Sequence, residues 1–135
     1  MKANELMIGD YIMLYEDIYI IEEISSKGWA HIIYNDGSKC RVPLSTDYIL
    51  GELTPIPLTP EILEKNGFVK QAYDGWLISE NNGRGLIEYR TDYFDGLLRI
   101  NYAEEPFSKL TIKVKYFHEL QHALRLCGIN KVITI

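Results

Sequence analysis

The sequence predicts a mostly β protein of the α+β class: an N-terminal SH3-like small β-barrel, then a short helix, an antiparallel β-meander and a C-terminal helix. Short β-branched and aromatic runs alternate with glycine-containing turns along most of the chain. Near residue 117 the apolar period changes from that of a strand to that of a helix. With 135 residues, 47% hydrophobic and 24% charged, the chain should bury a core as one domain or two small subdomains.

The first half contains four runs that are typical of strands, separated by tight turns. The candidate strands are Met7–Leu14, Ile18–Ile24, Trp29–Tyr34 and Lys39–Val42. The clearest hairpin turns at Asp36-Gly37, because glycine supplies the positive φ that such a turn needs. In the return strand, Cys40 and Val42 should lie on one face and Arg41 on the other. Strands this short and closely spaced predict an SH3-like barrel over residues 1–58.

A proline-rich bridge and a short helix follow the predicted barrel. Thr59 is a favourable N-cap, and Pro60 suits the first helical turn because its fixed φ is already helical. Gly67 suits the end of the helix. The sequence therefore predicts a helix over residues 60–66, at the start of an α+β subdomain that spans residues 59–135.

The second half returns to β structure before a last helix. The candidate strands are Trp76–Ser79, Leu86–Tyr89, Leu97–Tyr102, Thr111–Tyr116 and, at the end of the sequence, Lys131–Ile135. Asn82-Gly83 and Asp95-Gly96 mark turns between the first three of them. Apolar residues at helical spacing predict a helix from Phe117 to Cys127, which Gly128 should end.

The net charge of −5 is unevenly distributed along the chain. Residues 1–58 hold 4 Lys and Arg against 9 Asp and Glu, whereas residues 59–135 hold 10 of each kind. Because nucleic-acid binding depends largely on neutralising phosphates, the acidic first half disfavours that role. The end of the chain is locally basic, and its candidate binding residues for an acidic protein surface or a nucleic-acid backbone are Lys113, Lys115 and Arg125.

The cysteines, the apolar runs and the glycines of the sequence indicate in which compartment the protein is found and which cofactors it can bind. Cys40 and Cys127 form no metal-binding or disulfide pattern, so they are expected to be free, buried thiols. Acidic residues interrupt every apolar run near the N-terminus, so neither a signal peptide nor a membrane span is expected and the protein is predicted to be cytoplasmic. The sequence has no glycine-rich phosphate loop, and no cofactor is expected apart from zinc in the alternative interpretation below.

The sharpest catalytic pattern is residues 118–122, which read His-Glu-Leu-Gln-His. On a helix, His118 and His122 lie on one face, where both imidazoles can bind zinc. Glu119 would then polarise a zinc-bound water as general base. This alternative interpretation makes the protein a zinc-dependent hydrolase with His118 and His122 as metal ligands and Glu119 as catalytic residue.

Two features of the sequence oppose the zinc interpretation. A catalytic zinc needs a third protein ligand, and no Asp or Glu follows Glu119. The upstream candidates for that ligand are His31, Cys40, Asp92 and Asp95. The helix should also turn a polar face to solvent, made of His118, Gln121, His122 and Arg125. The favoured expectation is therefore no catalytic residue and no metal site.

Three stretches of the chain together resemble a group of small uncharacterised proteins of gut bacteria, often encoded in prophages and other mobile elements. The stretches are Ala3-Asn4-Glu5-Leu6 with Ile8-Gly9-Asp10, the run from Pro55 to Leu63 with Asn66-Gly67-Phe68, and His118-Glu119-Leu120-Gln121. The resemblance implies association with a mobile element and carries no activity. In these relatives the helix reads His-Glu-Leu-Gln-Asn, so this chain departs from them at His122.

The sequence therefore predicts a non-enzymatic binding or adaptor module of a prophage or mobile element, whose partner is another protein. Ten tyrosines and two tryptophans support this hypothesis, because SH3-like barrels often use exposed aromatic residues to bind peptides. The competing hypothesis is the zinc-dependent hydrolase. A third is nucleic-acid binding through the predicted barrel or the basic end of the chain.

Overall fold

The computed structural model of the protein describes residues 5–44, 53–79, 85–91, 96–102, 109–129 and 131–135. The chain divides into two compact units, Met1–Ile56 (unit 1) and Pro57–Ile135 (unit 2), against a predicted division after residue 58. The described residues form two antiparallel sheets and two helices, which confirms the mostly β, α+β class. Within them, neither helix is long and apolar enough to cross a membrane.

Unit 1 is built on one antiparallel sheet. Its strands are β1 (Tyr11–Leu14), β2 (Asp17–Ser25), β3 (Trp29–Tyr34), β4 (Lys39–Pro43) and β5 (Leu53–Thr54). The first four strands form a meander, and β5 returns to pair with β1, which gives the order β4-β3-β2-β1-β5. Among the described residues β4 and β5 are the two edges, so the sheet is not closed into the predicted barrel.

Alternating residues of unit 1 form its core. Ile12, Ile21 and Ile32 are at most 1% exposed, and Val42 is buried as predicted. Cys40 was expected to share the buried face of Val42, but it is exposed. The physical reason is its position, because Cys40 is the second residue of β4, and β4 is an edge strand among the described residues. The thiol of Cys127 in unit 2 is only partly buried, so the expectation of buried thiols is wrong for both cysteines.

The first strand is shorter than predicted because residues 7–10 form a turn. Asp10 is fully buried, and its Oδ2 accepts a hydrogen bond of 2.7 Å from the backbone N–H of Met7. The backbone of Gly9 and Asp10 then bonds to Ile21 of β2. The strand therefore begins at Tyr11 rather than at Met7.

Unit 2 contains the second sheet and both helices. Its elements are α1 (Pro60–Lys65), β6 (Val69–Lys70), β7 (Gly75–Ser79), β8 (Gly85–Arg90), β9 (Leu97–Tyr102), β10 (Lys109–Lys113) and α2 (Phe117–Leu126). Each strand pairs with the next, in the order β10-β9-β8-β7-β6. The last strand was predicted to reach Tyr116 but ends at Lys113. The backbone N–H of Val114 still donates to the carbonyl oxygen of Gly96, its in-register partner, at 2.8 Å. The next two backbone N–H groups, of Lys115 and Tyr116, donate to Oε2 of Glu119 instead.

Both predicted helices are confirmed. In α1, Thr59 has extended backbone and its hydroxyl accepts from the N–H of Ile62 at 3.4 Å, while Pro60 occupies the first turn. Gly67 follows the helix with φ +83°, as expected for a glycine that ends one. The second helix, α2, begins at Phe117 as predicted, and Gly128 follows it with φ +70°.

The predicted strand Lys131–Ile135 is wrong, since residues 131–135 form no strand. The backbone of this segment bonds to the side chain of Asn66 rather than to a strand. Asn66, the residue after α1, donates from Nδ2 to the carbonyl oxygen of Thr134 at 2.6 Å and accepts at Oδ1 from the Thr134 N–H at 2.8 Å. Ile133, only 3% exposed, packs this terminal segment into unit 2.

Candidate functional site

The histidine motif begins at the first turn of α2, and Glu119 caps that turn. Its Oε2 accepts hydrogen bonds from the backbone N–H groups of Lys115, at 2.7 Å, and of Tyr116, at 3.1 Å. This is the carboxylate half of a capping box, placed where a negative charge also favours the helix N-terminus. The carboxylate that a zinc hydrolase would use as general base is therefore bonded to the backbone of its own helix.

The face of α2 that was predicted to be exposed to solvent is partly buried, so this prediction is wrong for two of its four residues. His118 and Gln121 are only 5% and 6% exposed, whereas His122 is half-buried and Arg125 is exposed. The ring of Tyr116 stacks on that of His118, with centroids 6.0 Å apart. Residues 57 and 58 pair with residues 116 and 115, so a second piece of chain lies beside the start of the helix. The first turn of α2 is consequently buried on more sides than its apolar stripe predicts.

The two imidazoles of the motif lie next to each other. The ring centroids of His118 and His122 are 5.6 Å apart and their planes are nearly perpendicular, at 78°. Within the described residues, no group of three or more His, Cys, Asp or Glu side chains is placed to hold a metal ion. Of the four candidate third ligands, Asp92 and Asp95 lie outside the described residues, and His31 and Cys40 belong to unit 1.

The capping contact gives a prediction for Glu119. We expect Glu119→Ala to lower the free energy of unfolding by about 1–2 kcal/mol, because two backbone donors lose their partner. Glu119→Gln should cost less, since the amide oxygen still accepts. Urea unfolding followed by circular dichroism measures both, with Glu64→Ala on the exposed side of α1 as the matched control. Equal stability of all three variants would contradict the capping role.

The three predicted basic residues are exposed, and they lie on β10, on the segment after it and on α2. Lys113 ends β10, and Lys115 follows it across the buried Val114, with its Nζ 5.8 Å from the ring centroid of Tyr116. Arg125 lies in the last turn of α2. At a rise of about 1.5 Å per residue, it stands roughly 12 Å along the helix from the end at which the lysines lie.

A cluster that the sequence did not single out lies at one end of the sheet in unit 1. The β1–β2 and β3–β4 turns meet at this end because the strands are antiparallel. We call this the turn end, and it consists of Tyr15, Glu16, Asp17, Tyr19, Tyr34 and Asp36. Tyr19 and Tyr34 face each other across β2 and β3, with ring centroids 4.9 Å apart in an edge-to-face arrangement at 68°.

The apex of the β1–β2 hairpin is unusual. Leu14 pairs with Asp17, so Tyr15 and Glu16 form a two-residue turn, and their φ angles are +50° and +74°. A turn of this kind normally takes Asn-Gly, because glycine has no Cβ and Asn tolerates positive φ better than most other side chains. The side chain of Tyr15 is 62% exposed. The chain therefore holds an exposed aromatic residue at a strained position.

The carboxylates of the turn end perturb the tyrosines beside them. The Tyr34 hydroxyl donates a hydrogen bond to the Asp17 carboxylate, and this bond, with partial desolvation and nearby negative charge, raises the pKa of Tyr34 to about 12. Partial burial, followed by the charge of Asp17, also raises the pKa of Tyr19. Hydrogen bonds from Ser38 lower the pKa of Asp36, which keeps that carboxylate ionised.

The raised pKa gives a prediction in alkaline solution. Tyr34 has a higher pKa in the folded chain than its ordinary value of 10.0, so its contribution to stability is complete below pH 10 and is lost as the pH rises through about 12. NMR titration of the Tyr34 ring should report this high pKa. Asp17→Asn should return the pKa toward 10.0, whereas Glu23→Gln, on the other face of β2, should not. A titration of Tyr34 near 10.0 in the unaltered protein would refute the hydrogen bond.

A second aromatic group lies on the exposed face of β3 and β4. The Trp29 ring lies 4.6 Å from the His31 ring, and the Arg41 guanidinium lies 4.1 Å from the centroid of Trp29. Nδ1 of His31 is 3.1 Å from Oε2 of Glu23, across the strand pair. His31 is therefore engaged by a carboxylate in its own sheet. The alternation of side chains along β3 would have placed Trp29 and His31 on one face of the sheet. The contact between Trp29 and Arg41 could not be predicted in this way, because it depends on the register in which β3 pairs with β4.

No protein-family model, curated protein or solved structure matches the chain. The resemblance to small proteins of bacterial mobile elements stays a prediction. Function must therefore be argued from the chemistry of the residues themselves.

Proposed function

We propose that the chain is a non-enzymatic protein-binding module that contacts its partner through the turn end of unit 1. The observation that best supports this role is the grouping of three tyrosines and three carboxylates at one end of a sheet, where two tight turns fix the backbone. Tyrosine is favoured in protein interfaces because its rigid ring buries a large area at a small entropic cost.

The strained apex supports the same location. A backbone at positive φ without glycine costs stability, and such positions are concentrated where a side chain must be held for function. Asn-Gly at positions 15 and 16 would relieve the strain but would remove the exposed ring of Tyr15. The exposed ring of Tyr15 at this apex is placed to contact a partner.

The state of Glu119 supports a role without catalysis. Its Oε2 already accepts from two backbone N–H groups, so it would have to leave the helix N-terminus to act as a base. We also propose an SH3-like arrangement for unit 1, which the return of β5 to the side of β1 supports, although the sheet of the described residues is open. We further propose, on the resemblance alone, that the module serves a prophage or other mobile element in the cytoplasm.

Site-specific photo-crosslinking tests the location. Benzoylphenylalanine replaces Tyr15 in one variant of the full chain and Val132 in another; Val132 is 87% exposed and lies in unit 2. After irradiation in bacterial cells, position 15 should give discrete protein adducts that position 132 does not. A Tyr34→Ala change added to the position-15 variant should remove them. Absence of adducts, or the same adducts from both positions, would contradict the proposal.

The zinc-dependent hydrolase is kept as a second candidate because the rings of His118 and His122 are neighbours on successive helical turns. Elemental analysis of untagged protein separates the two functions. The binding module predicts no stoichiometric zinc in either the unaltered protein or His122→Asn. Stoichiometric zinc that is lost in His122→Asn would support the hydrolase instead.

Nucleic-acid binding ranks below protein binding. The three carboxylates of the turn end repel phosphate, and the basic residues of unit 2 are spread over separate elements. Salt-dependent binding of a mixed oligonucleotide pool, unaffected by changes at the turn end, would favour this third role.

A further inference from the structure

We infer that the turn end of unit 1 binds a cationic side chain, Lys or Arg, from a basic peptide segment of the partner protein. This inference rests on the proposed function and names the chemistry of the partner.

The aromatic geometry fits a cation. Tyr19 and Tyr34 stand edge to face at 4.9 Å, and both are half-buried, with Tyr19 packed against the core of unit 1, so that part of each ring remains exposed. Ammonium and guanidinium groups are attracted to the faces of aromatic rings within about 6 Å of the centroid. The edge-to-face contact holds the two rings against each other before any ligand arrives. Such preorganisation lowers the entropic cost of binding.

The charges at the same end have the complementary sign. Glu16, Asp17 and Asp36 are exposed and acidic, and hydrogen bonds from Ser38 keep Asp36 ionised. Lys39, which follows the β3–β4 turn, bonds instead to Glu22 at 2.5 Å. The carboxylates therefore keep a negative potential beside the two rings, and this potential selects a cation over a neutral or anionic group.

The apex supplies a third ring. Tyr15 lies two residues before Asp17, and the turn holds it at the exposed tip of the hairpin. A basic side chain that lies against Tyr19 and Tyr34 can form an ion pair with Asp17 while its neighbours on the peptide contact Tyr15. Several weak contacts of this kind predict binding to a segment with more than one basic residue, because one exposed ion pair alone is weak.

Fluorescence anisotropy with the full chain tests the inference with three labelled peptides: alternating Arg-Gly, alternating Lys-Gly and alternating Glu-Gly. We expect both basic peptides to bind and the acidic peptide not to bind. Asp17→Asn and Asp36→Asn should each weaken binding by about tenfold, since each removes one charge from the site. Glu23→Gln removes the same charge from the opposite face of β2 and should change the Kd by less than about twofold.

Four results would overturn the inference: no binding of the basic peptides, equal binding of the acidic one, equal effects of Asp17→Asn and Glu23→Gln, or no loss in Tyr19→Leu. Tyr19→Leu tests the aromatic contribution at constant charge, and its circular dichroism spectrum confirms that it is folded. Crosslinks from position 15 to a partner with a neutral or acidic contact surface would be consistent with the proposed function. They would contradict only the inference that the partner segment is basic. Loss of both crosslinks and peptide binding would remove both.

Discussion

Gly96→Ala should lower the free energy of unfolding by about 3–5 kcal/mol, near the upper end of what single substitutions do. Gly96 is buried with φ +79°, where an added Cβ is itself strained. A methyl group there would also overlap the carbonyl oxygen of Val114 and lie 2.5 Å from the hydroxyl of Tyr89. Because the Gly96 carbonyl accepts from the Val114 N–H at 2.8 Å, neither backbone can move away without loss of this bond.

Gly128→Ala is the matched control for Gly96→Ala. Gly128 has φ +70°, and a Cβ built on it meets nothing within 4 Å. Its substitution should cost only the conformational strain, about 1 kcal/mol. Chemical denaturation of both variants measures the difference. Equal losses in the two would show that close packing around Gly96 contributes nothing.

Asn66→Ala should be the second most damaging change, with a loss of about 2–4 kcal/mol. Asn66 is 8% exposed and makes three hydrogen bonds, from Nδ2 to the carbonyl oxygens of Ile62 and Thr134 and to Oδ1 from the Thr134 N–H. Alanine leaves the N–H and the carbonyl oxygen of Thr134 without this partner, whereas the Ile62 carbonyl keeps its bond from the backbone N–H of residue 66. Hydrogen exchange should also show faster exchange at Thr134.

Two further variants sharpen the Asn66 prediction. Gln71→Ala removes an exposed amide whose Nε2 donates to the nearby Val69 carbonyl oxygen at 2.9 Å, and it should change stability by less than about 0.5 kcal/mol. Asn66→Asp keeps the acceptor but turns a carboxylate oxygen toward two carbonyl oxygens, so it should be no better than alanine. If Asn66→Asp were as stable as the unaltered chain, the assigned direction of these hydrogen bonds would be wrong.

Local chemistry explains why much of the fold could be predicted from the sequence. Thr59-Pro60 and Gly67 determine both ends of α1 through contacts within a few residues. Trp29–Tyr34 has the predicted bounds because the Asp36-Gly37 turn that follows is closed by hydrogen bonds of its own. Helix ends and tight turns depend on residues that are close together in the sequence, so they can be predicted from one sequence alone.

Contacts between distant residues explain the failures. The segment 131–135 has β-branched residues typical of a strand, but Asn66, 68 positions before Thr134, bonds to its backbone instead. His118 was expected on the surface because a helical pattern shows one apolar stripe and cannot show that residues 57 and 58 return beside residues 116 and 115 at the start of the helix. Neither contact leaves a local signal.

In the candidate sites, too, some features could be predicted from the sequence and others could not. The spacing of His118 and His122 correctly predicts neighbouring rings, since one helical turn brings them together. The same spacing cannot show that Glu119 reaches back to the N–H groups of Lys115 and Tyr116. The turn end was missed because the pairing of Tyr19 with Tyr34 depends on strand register, although the tyrosines and carboxylates were visible one by one.

If the turn end of unit 1 binds the partner and the histidine motif serves the fold, substitutions at the two places should have separate effects. The most direct test measures Arg-Gly peptide affinity and stability together in Asp17→Asn and Glu119→Ala. We predict that Asp17→Asn weakens peptide binding by about tenfold and keeps the cooperative unfolding of the chain. Glu119→Ala should keep the affinity and lose about 1–2 kcal/mol of stability. The opposite pattern, with peptide binding lost in Glu119→Ala and retained in Asp17→Asn, would contradict the account.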